Sequence, residues 1–479
     1  MLSLENFLDK DDKRKFDFVR LLEESSELSE LNTTIQAQLS LSTFLFNKTI
    51  EELRQDFATY DLEHFFAIET DNVQTTLLEA GQATSDLLLT HYLRDSLSFA
   101  IVVALFIGDF QSTQSFADDH FTSYTSVYSR VRQIKQLLQD FDVEIDKQHH
   151  IVGAETNIRY LLTRMFAFVL ADDAALYSPT VQTAAGSMIA SLETRVTLPH
   201  TVQTKLRHFI QIALVREAAG YQLSLGDANR QKVMGNLWSL YAEEAALIGQ
   251  FPVSLAVQQE ILAFLYVSGL LPAAKMDQQS LGQHLSRLSH RFLSAATAAF
   301  GLKDPALQTR LMTELNRVHF ELIYFPLNAF YSFERFDMTF FKDSYTEYFE
   351  FCRTYLMDED FLRAESFLSY RPYVFYRYLM ILVSTIQLDA VMEPIIVCVD
   401  FSFGQEYNNF IKKNFALFVN LNVNVQFMYD EHTDVVVTNL NSAYDDFDVE
   451  KVIWLDPPRA IDWAHLSDRI LEIRATKTK

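Results

Sequence analysis

Residues 121–138 read FTSYTSVYSRVRQIKQLL. Ser123 is followed by Val127, Val131 and Ile134, at offsets four, eight and eleven. Those offsets line three apolar side chains along one stripe of a helix. A serine just ahead of such a stripe can accept hydrogen bonds from the unpaired N–H groups of the first turn. The spacing therefore predicts a capped helix. A short helix over 113–120, with the small Ala117 where a second helix can come close, is predicted before it. Helix, tight turn and capped helix form a helix-turn-helix.

The pattern occurs twice. Residues 41–53 read LSTFLFNKTIEEL, and Ser42 precedes Phe46, Ile50 and Leu53 at the same three offsets. A short helix over 31–39, with Ala37 in the place expected for close approach, goes before it. The chemistry differs between the two. The solvent side of the second capped helix carries Thr125, Ser126, Ser129, Arg130, Arg132, Gln133 and Lys135. Residues 126–141 hold three basic residues and one acidic, in a chain of net charge -23. Such a helix fits the major groove. Arg and Gln reach base edges there, while Ser, Thr and Lys hold phosphates. Residues 143–152 alternate apolar and polar around Asp146 and Lys147, which predicts a two-stranded wing. The first unit is the weaker DNA reader, because residues 1–60 hold twelve acidic and seven basic residues. Its candidate contacts are Lys48 and Arg54, with auxiliary contacts from Lys13, Arg14 and Lys15.

Working outward, 479 residues exceed what one core usually organises, so several domains are expected. A hydrophobic share of 49% and a charged share of 22% belong to a folded chain. The acidic balance excludes a chain-wide basic coat for nucleic acid but leaves room for a local basic patch. Two cysteines, Cys352 and Cys398, exclude a disulfide framework and a four-cysteine zinc site. The longest strongly apolar run is 99–107, about half of a membrane span. No targeting or lipidation signal is recognised. The expectation is a cytoplasmic protein with no membrane partner.

Most of the remaining chain has helix-length patterns, over roughly 1–60, 84–141, 155–170 and 177–388. Pro199 and the stretch 301–305 divide the middle into two all-helical units. From Pro394 the character changes. Ile395, Ile396, Val397, Cys398 and Val399 form a buried-strand run. Helical 405–418, a strand around Val423–Val425, Val runs at 434–438 and 451–455, and a closing helix at 463–473 predict a small α/β domain with a mostly parallel sheet. The expected fold is multidomain and mainly α. Its boundaries are set at 1–65 and 66–155 for the two helix-turn-helix units, the second winged. Residues 156–298 and 299–388 form the helical domains, and 389–479 the α/β domain.

Residues 151–166, IVGAETNIRYLLTRMF, follow the predicted wing. They resemble the L-x-G-x-E-x-x-I-R segment of the Mga/AtxA group of Gram-positive transcriptional regulators, through Val152, Gly153, Glu155, Ile158, Arg159 and Tyr160. The resemblance implies two N-terminal helix-turn-helix units, two phosphotransferase regulation domains and a C-terminal domain like the IIB component of sugar phosphotransferase systems. The predicted order of elements fits that architecture over essentially the whole chain. The resemblance further implies binding to double-stranded promoter DNA of virulence, surface-protein or metabolic genes, mostly as an activator, and assembly as a homodimer or higher oligomer. In that group, regulation-domain histidines are phosphorylated by the phosphocarrier protein of the sugar system.

Candidate acceptors here are His319, with Arg317 nearby, His208, with Arg216 one helix face on, and His200. Gly220 is followed by Tyr221 where relatives often have histidine, which points to the second helical domain and so to His319. The IIB resemblance implies a phosphoryl-accepting cysteine in the loop after the first strand. The loop 400–404 has none, Cys398 lies inside the strand, and Asp400 would repel phosphate. No catalytic residue, cofactor or metal is expected, and His149 and His150 have no third ligand near them in sequence. The rival readings are a transcription antiterminator carrying the same regulation domains, a phosphotransfer component of sugar uptake, and a purely structural interaction protein.

Overall fold

The computed structural model describes residues 3–79, 81–271, 282–327, 338–387, 393–415 and 421–477. The described residues up to 271, with 323–327, make one compact unit, and the others make a second.

The first unit opens with a 3-10 turn at Leu4–Phe7 and α1 (Lys10–Glu23), whose Phe16, Phe18, Val19 and Leu22 are buried. Then come β1 (Ser29–Leu31), α2 (Asn32–Gln38), α3 (Thr43–Thr59), β2 (Phe66–Thr70) and β3 (Gln74–Glu79). β3 lies between β1 and β2 and is antiparallel to both. This three-stranded sheet is absent from the expectations drawn from the sequence. It gives the first helix-turn-helix a wing of its own. It also ties 66–79 to 29–31, across the boundary expected at 65.

Next come α4 (Ser85–Asp95), α5 (Leu97–Ile107), α6 (Thr113–Asp119) and α7 (Tyr124–Gln139). The axes of α4 and α5 bend by 61° at Ser96. Ser96 Oγ accepts from Phe99 N–H and donates to the Leu93 carbonyl, closing one helix while opening the next. Among the described residues no single helix is long and apolar enough to cross a membrane.

The two helix-turn-helix turns match bond for bond. Leu39 N–H donates to Ile35 in the first, and His120 N–H to Phe116 in the second. Leu41 N–H donates to Gln36 and Thr122 N–H to Ala117. Ser40 and Phe121 both take left-handed backbone, with φ of 53° and 52°. Ser42 Oγ then accepts from Leu45 N–H, and Ser123 Oγ from Ser126 N–H, so both predicted caps are made. The equivalent of Ala117 is thus Gln36. Ala37 stays exposed, while Ala117 is buried as expected.

β4 (Val143–Ile145) and β5 (Ile151–Gly153) pair antiparallel as the expected wing. Gly153 sits at φ 127°, and a Cβ there would run into the Asp142 carbonyl oxygen. α8 (Glu155–Val169) follows, carrying most of the segment 151–166. Glu155 Oε1 accepts from Arg159 Nε at 2.8 Å and Arg216 Nε at 3.1 Å, and Oε2 accepts from Arg216 Nη2 at 2.5 Å. Arg159 also donates to the Tyr221 carbonyl and Arg216 to the Ile151 carbonyl, at 3.0 and 3.1 Å. A buried ionic knot therefore joins β5 and α8 to the helical layer beyond. That layer is α9 (Pro179–Glu193), α10 (His200–Ala218), α11 (Ala228–Leu240), α12 (Ala242–Gly249) and α13 (Leu255–Val267).

The second unit contains α14 (Gln283–Phe300), α15 (Pro305–Tyr324), whose end counts with the first unit, α16 (Thr339–Ser344), α17 (Thr346–Tyr355), α18 (Glu359–Ala364) and α19 (Arg371–Thr385). Then follow β6 (Ile395–Asp400), α20 (Gln405–Asn414), β7 (Val423–Gln426), β8 (Val435–Thr438), β9 (Glu450–Ile453) and α21 (Ala460–Lys477). The sheet is parallel throughout, in the order β7-β6-β8-β9. Its core is built from Ile395, Val397, Val399, Val435 and Val437, covered by Ile411, Leu466 and Ile470. Strand–helix alternation is looser than expected, since turns rather than a helix join β8 to β9.

Candidate nucleic-acid interface

α7 is amphipathic, with Val127, Val131, Ile134 and Leu138 buried against the rest of the winged domain. Thr125, Ser126, Ser129 and Arg132 face solvent, and Lys135 is half-buried. Arg132 and Lys135 make no hydrogen bond or ion pair among the described residues.

Arg130 and Gln133, expected to reach base edges, are engaged elsewhere. Arg130 pairs with Asp9 through Nη2 and donates to Gln133 Oε1 at 2.7 Å. Gln133 Nε2 in turn donates to the Asn6 carbonyl at 2.9 Å. The cause is the N-terminal segment. Phe7 is buried and lines one apolar cavity together with Ile134, Leu138, Val143 and Ile151, and residues 6–9 run along this flank of α7. Beside the first turns of α7 opens a cleft whose walls include Arg94, Ser96, Phe121, Thr125, Ser126 and Ser129.

The wing is stiffened at its tip. Asp146 Oδ1 accepts from the N–H groups of Gln148 and His150, both at 2.8 Å. These bonds, the His150 one foremost, hold the Asp146 carboxyl below its usual pKa. Lys147 is exposed at the tip. His149 packs on Phe110 while His150 faces Asp146, and among the described residues no His, Cys, Asp or Glu group is placed to hold a metal ion.

The candidate cations of the first helix-turn-helix already have partners within the protein. Lys48 pairs with Glu52 at 3.3 Å, and Arg54 donates to the Ile68 carbonyl of β2 at 2.9 Å. Lys13 pairs with Glu5, Arg14 with Asp11 and Glu52, and Lys15 with Asp12 and Asp56. The auxiliary contacts expected from 13–15 are thus already occupied by carboxylates.

Sequence reasoning passed over three residues at the start of α7. Phe121, Tyr124 and Tyr128 are large, apolar and exposed. Their only signal in the sequence is an aromatic at each position flanking the polar face.

The candidate phosphoryl acceptors differ sharply in access. His319 is fully buried, with Nδ1 on Ser289 Oγ and Nε2 on Tyr378 OH, at 2.9 and 2.8 Å. Burial pulls its pKa down to about 3. His208 is buried between Tyr177 OH and the Ala171 carbonyl, and burial lowers its pKa as well. Neither ring is exposed in this arrangement, so His319, the acceptor preferred from the sequence, is as enclosed as His208. The neighbours proposed to steady phosphate are also committed, Arg216 to Glu155 and Arg317 to Glu314. His200 is exposed at the start of α10, with Nε2 3.2 Å from Asp172.

In the α/β domain the loop after β6 is closed by side chains. Phe401 N–H donates to Asn408 Oδ1 and Ser402 N–H to Asn439 Oδ1. Tyr444 OH donates to Asp400 and Asn439 Nδ2 to Asp456. Cys398 is buried inside β6, and burial pushes its thiol up to about 11.

Residues 82–166 match the family model of the Mga helix-turn-helix domain. No curated protein matches the chain.

Proposed function

We propose, for a chain that carries an Mga helix-turn-helix domain and is thereby a DNA-binding transcriptional regulator, that α7 reads a specific promoter sequence and that Arg132 and Lys135 anchor it. One observation carries this reading. α7 keeps two cations without partners on its solvent side, whereas Lys48 and Arg54 of the matching first unit are already paired. Thr125 and Ser129 lie between those cations and the capped N-terminus, the part of a recognition helix that meets base edges. The wing tip with Lys147 extends the contact to the backbone. The first unit serves as a scaffold.

The activating sign, and self-association as a homodimer or higher oligomer, rest on the family resemblance. So does control by the phosphocarrier protein of the sugar system. Exposure favours His200 as its acceptor, because His208 and His319 would have to leave their pockets first. We assign the chain no enzymatic role. Supporting this, the β6 loop spends its N–H groups on Asn408 and Asn439 and faces Asp400 and Asp456 rather than a nucleophile.

The test is a gel-shift titration on duplexes selected by the full chain. Arg132→Ala with Lys135→Ala should weaken binding roughly tenfold at moderate salt and flatten the salt dependence by about two charges. Lys48→Ala with Arg54→Ala should cost far less. Equal losses, or the reverse order, would refute the assignment.

A further inference from the structure

Packing leaves three aromatic rings outside at the start of α7. Phe121 is 99% exposed, Tyr124 50% and Tyr128 55%. Nothing in the turn calls for phenylalanine. Residue 121 takes left-handed backbone, which favours small or polar side chains. The matching residue of the first turn is a serine, Ser40, at nearly the same φ. Tyr124 and Tyr128 are one helical turn apart, with ring centroids at 6.1 Å and planes 13° apart. They make a flat apolar wall along the outer row of Thr125, Ser129 and Arg132. The core does not use this wall, since Val127 and Val131 fill the buried stripe.

We propose that Phe121, Tyr124 and Tyr128 form an apolar specificity element that reads the C5-methyl groups of thymines in the major groove. This rests on α7 being the DNA-reading helix. The thymine methyl is the one apolar feature that the four bases show in that groove. The N-terminal turn of a recognition helix is the part that faces base edges, and there this chain offers rings rather than guanidinium groups. Arg130 and Gln133, which would otherwise supply bidentate base contacts, are turned to Asp9 and Asn6. Continuity with the unpaired Arg132 and Lys135 sets the wall beside the phosphates those cations would hold. The tyrosine hydroxyls add donors toward the backbone or base acceptors.

The experiment selects duplexes from a random pool with the full-length chain, then replaces each invariant thymine by uracil, which lacks only the methyl. Wild-type affinity should fall about threefold to fourfold for each methyl that is read, the worth of one buried carbon. In the variant Phe121→Ser/Tyr124→Ser/Tyr128→Ser, thymine and uracil duplexes should bind alike. Wild-type indifference to uracil would overturn the proposal by itself, with no variant needed, and so would a variant that keeps the full thymine dependence. Failure of the underlying reading would look different: binding would then survive Arg132→Ala/Lys135→Ala unchanged. Uracil indifference together with a strong Arg132 dependence would sink the aromatic element alone.

Discussion

Glu155→Ala should destabilise the first unit by about 3–5 kcal/mol, as expected when one partner of a buried ionic cluster is removed. The magnitude follows from what the carboxylate holds. It takes three charge-assisted hydrogen bonds, one from Arg159 and two from Arg216. The Arg159 and Arg216 side chains are 1% and 3% exposed, so water cannot replace those bonds. Each guanidinium would keep a single carbonyl, of Tyr221 or Ile151, and no directly bonded carboxylate, with Glu260 left as the longer-range counter-charge of Arg159 and the Tyr221 ring as the stacking partner of Arg216. A surface pair of the same composition would be worth ~1 kcal/mol or less. The loss is a large share of the ~5–15 kcal/mol that holds a typical domain folded. The assay is urea unfolding followed by Trp238 fluorescence, with Trp454 and Trp463 replaced by phenylalanine to silence the α/β domain. Replacing all three members together, Glu155→Leu with Arg159→Met and Arg216→Met, should restore stability to within about 2 kcal/mol of wild type, since matched apolar groups need no counter-charge. A single-variant loss below about 1 kcal/mol, or a triple variant as unstable as the single one, would refute the reasoning.

Two further outcomes are expected. Asp9→Asn should release Arg130 and raise affinity for a selected duplex by about twofold to fivefold at low salt, with a salt dependence steeper by about one charge; unchanged affinity and slope would show that Arg130 stays out of reach of DNA. Stability of the second unit should fall on acidification below pH ~6.5, by up to ~1.4 kcal/mol per pH unit, because the unfolded chain protonates His319 there while the folded chain resists until about pH 3. His319→Phe should flatten that part of the pH dependence in denaturant titrations read through Trp454 and Trp463, and an undiminished slope in the variant would contradict it.

What was legible in the sequence was local. Ser42 and Ser123 cap helices because the cap and its stripe lie within eleven residues of each other. The valine runs of β6 and β8 declare buried parallel strands by composition alone. The first sheet was hidden because β1 has three residues and pairs with a strand more than forty positions away. The partners of Arg130 and Gln133 were hidden for the same reason. Their flank of α7 is decided by Asn6 and Asp9, over a hundred positions upstream, and helical periodicity carries no word of that. The burial of His319 was hidden because it comes from Ser289 and Tyr378 on other helices.

The two matching turns mean that frame and charge are separable in this molecule. Both units share the same bonds around the turn and the same cap, yet one presents cations without hydrogen-bond partners and the other has Lys48 paired with Glu52 and Arg54 bonded to the Ile68 carbonyl. The first turn and its capped helix are therefore folded like the second, and the two differ in what their surfaces present. Few exposed substitutions on α3 would change what the first presents, with no repacking of Phe46, Ile50 or Leu53.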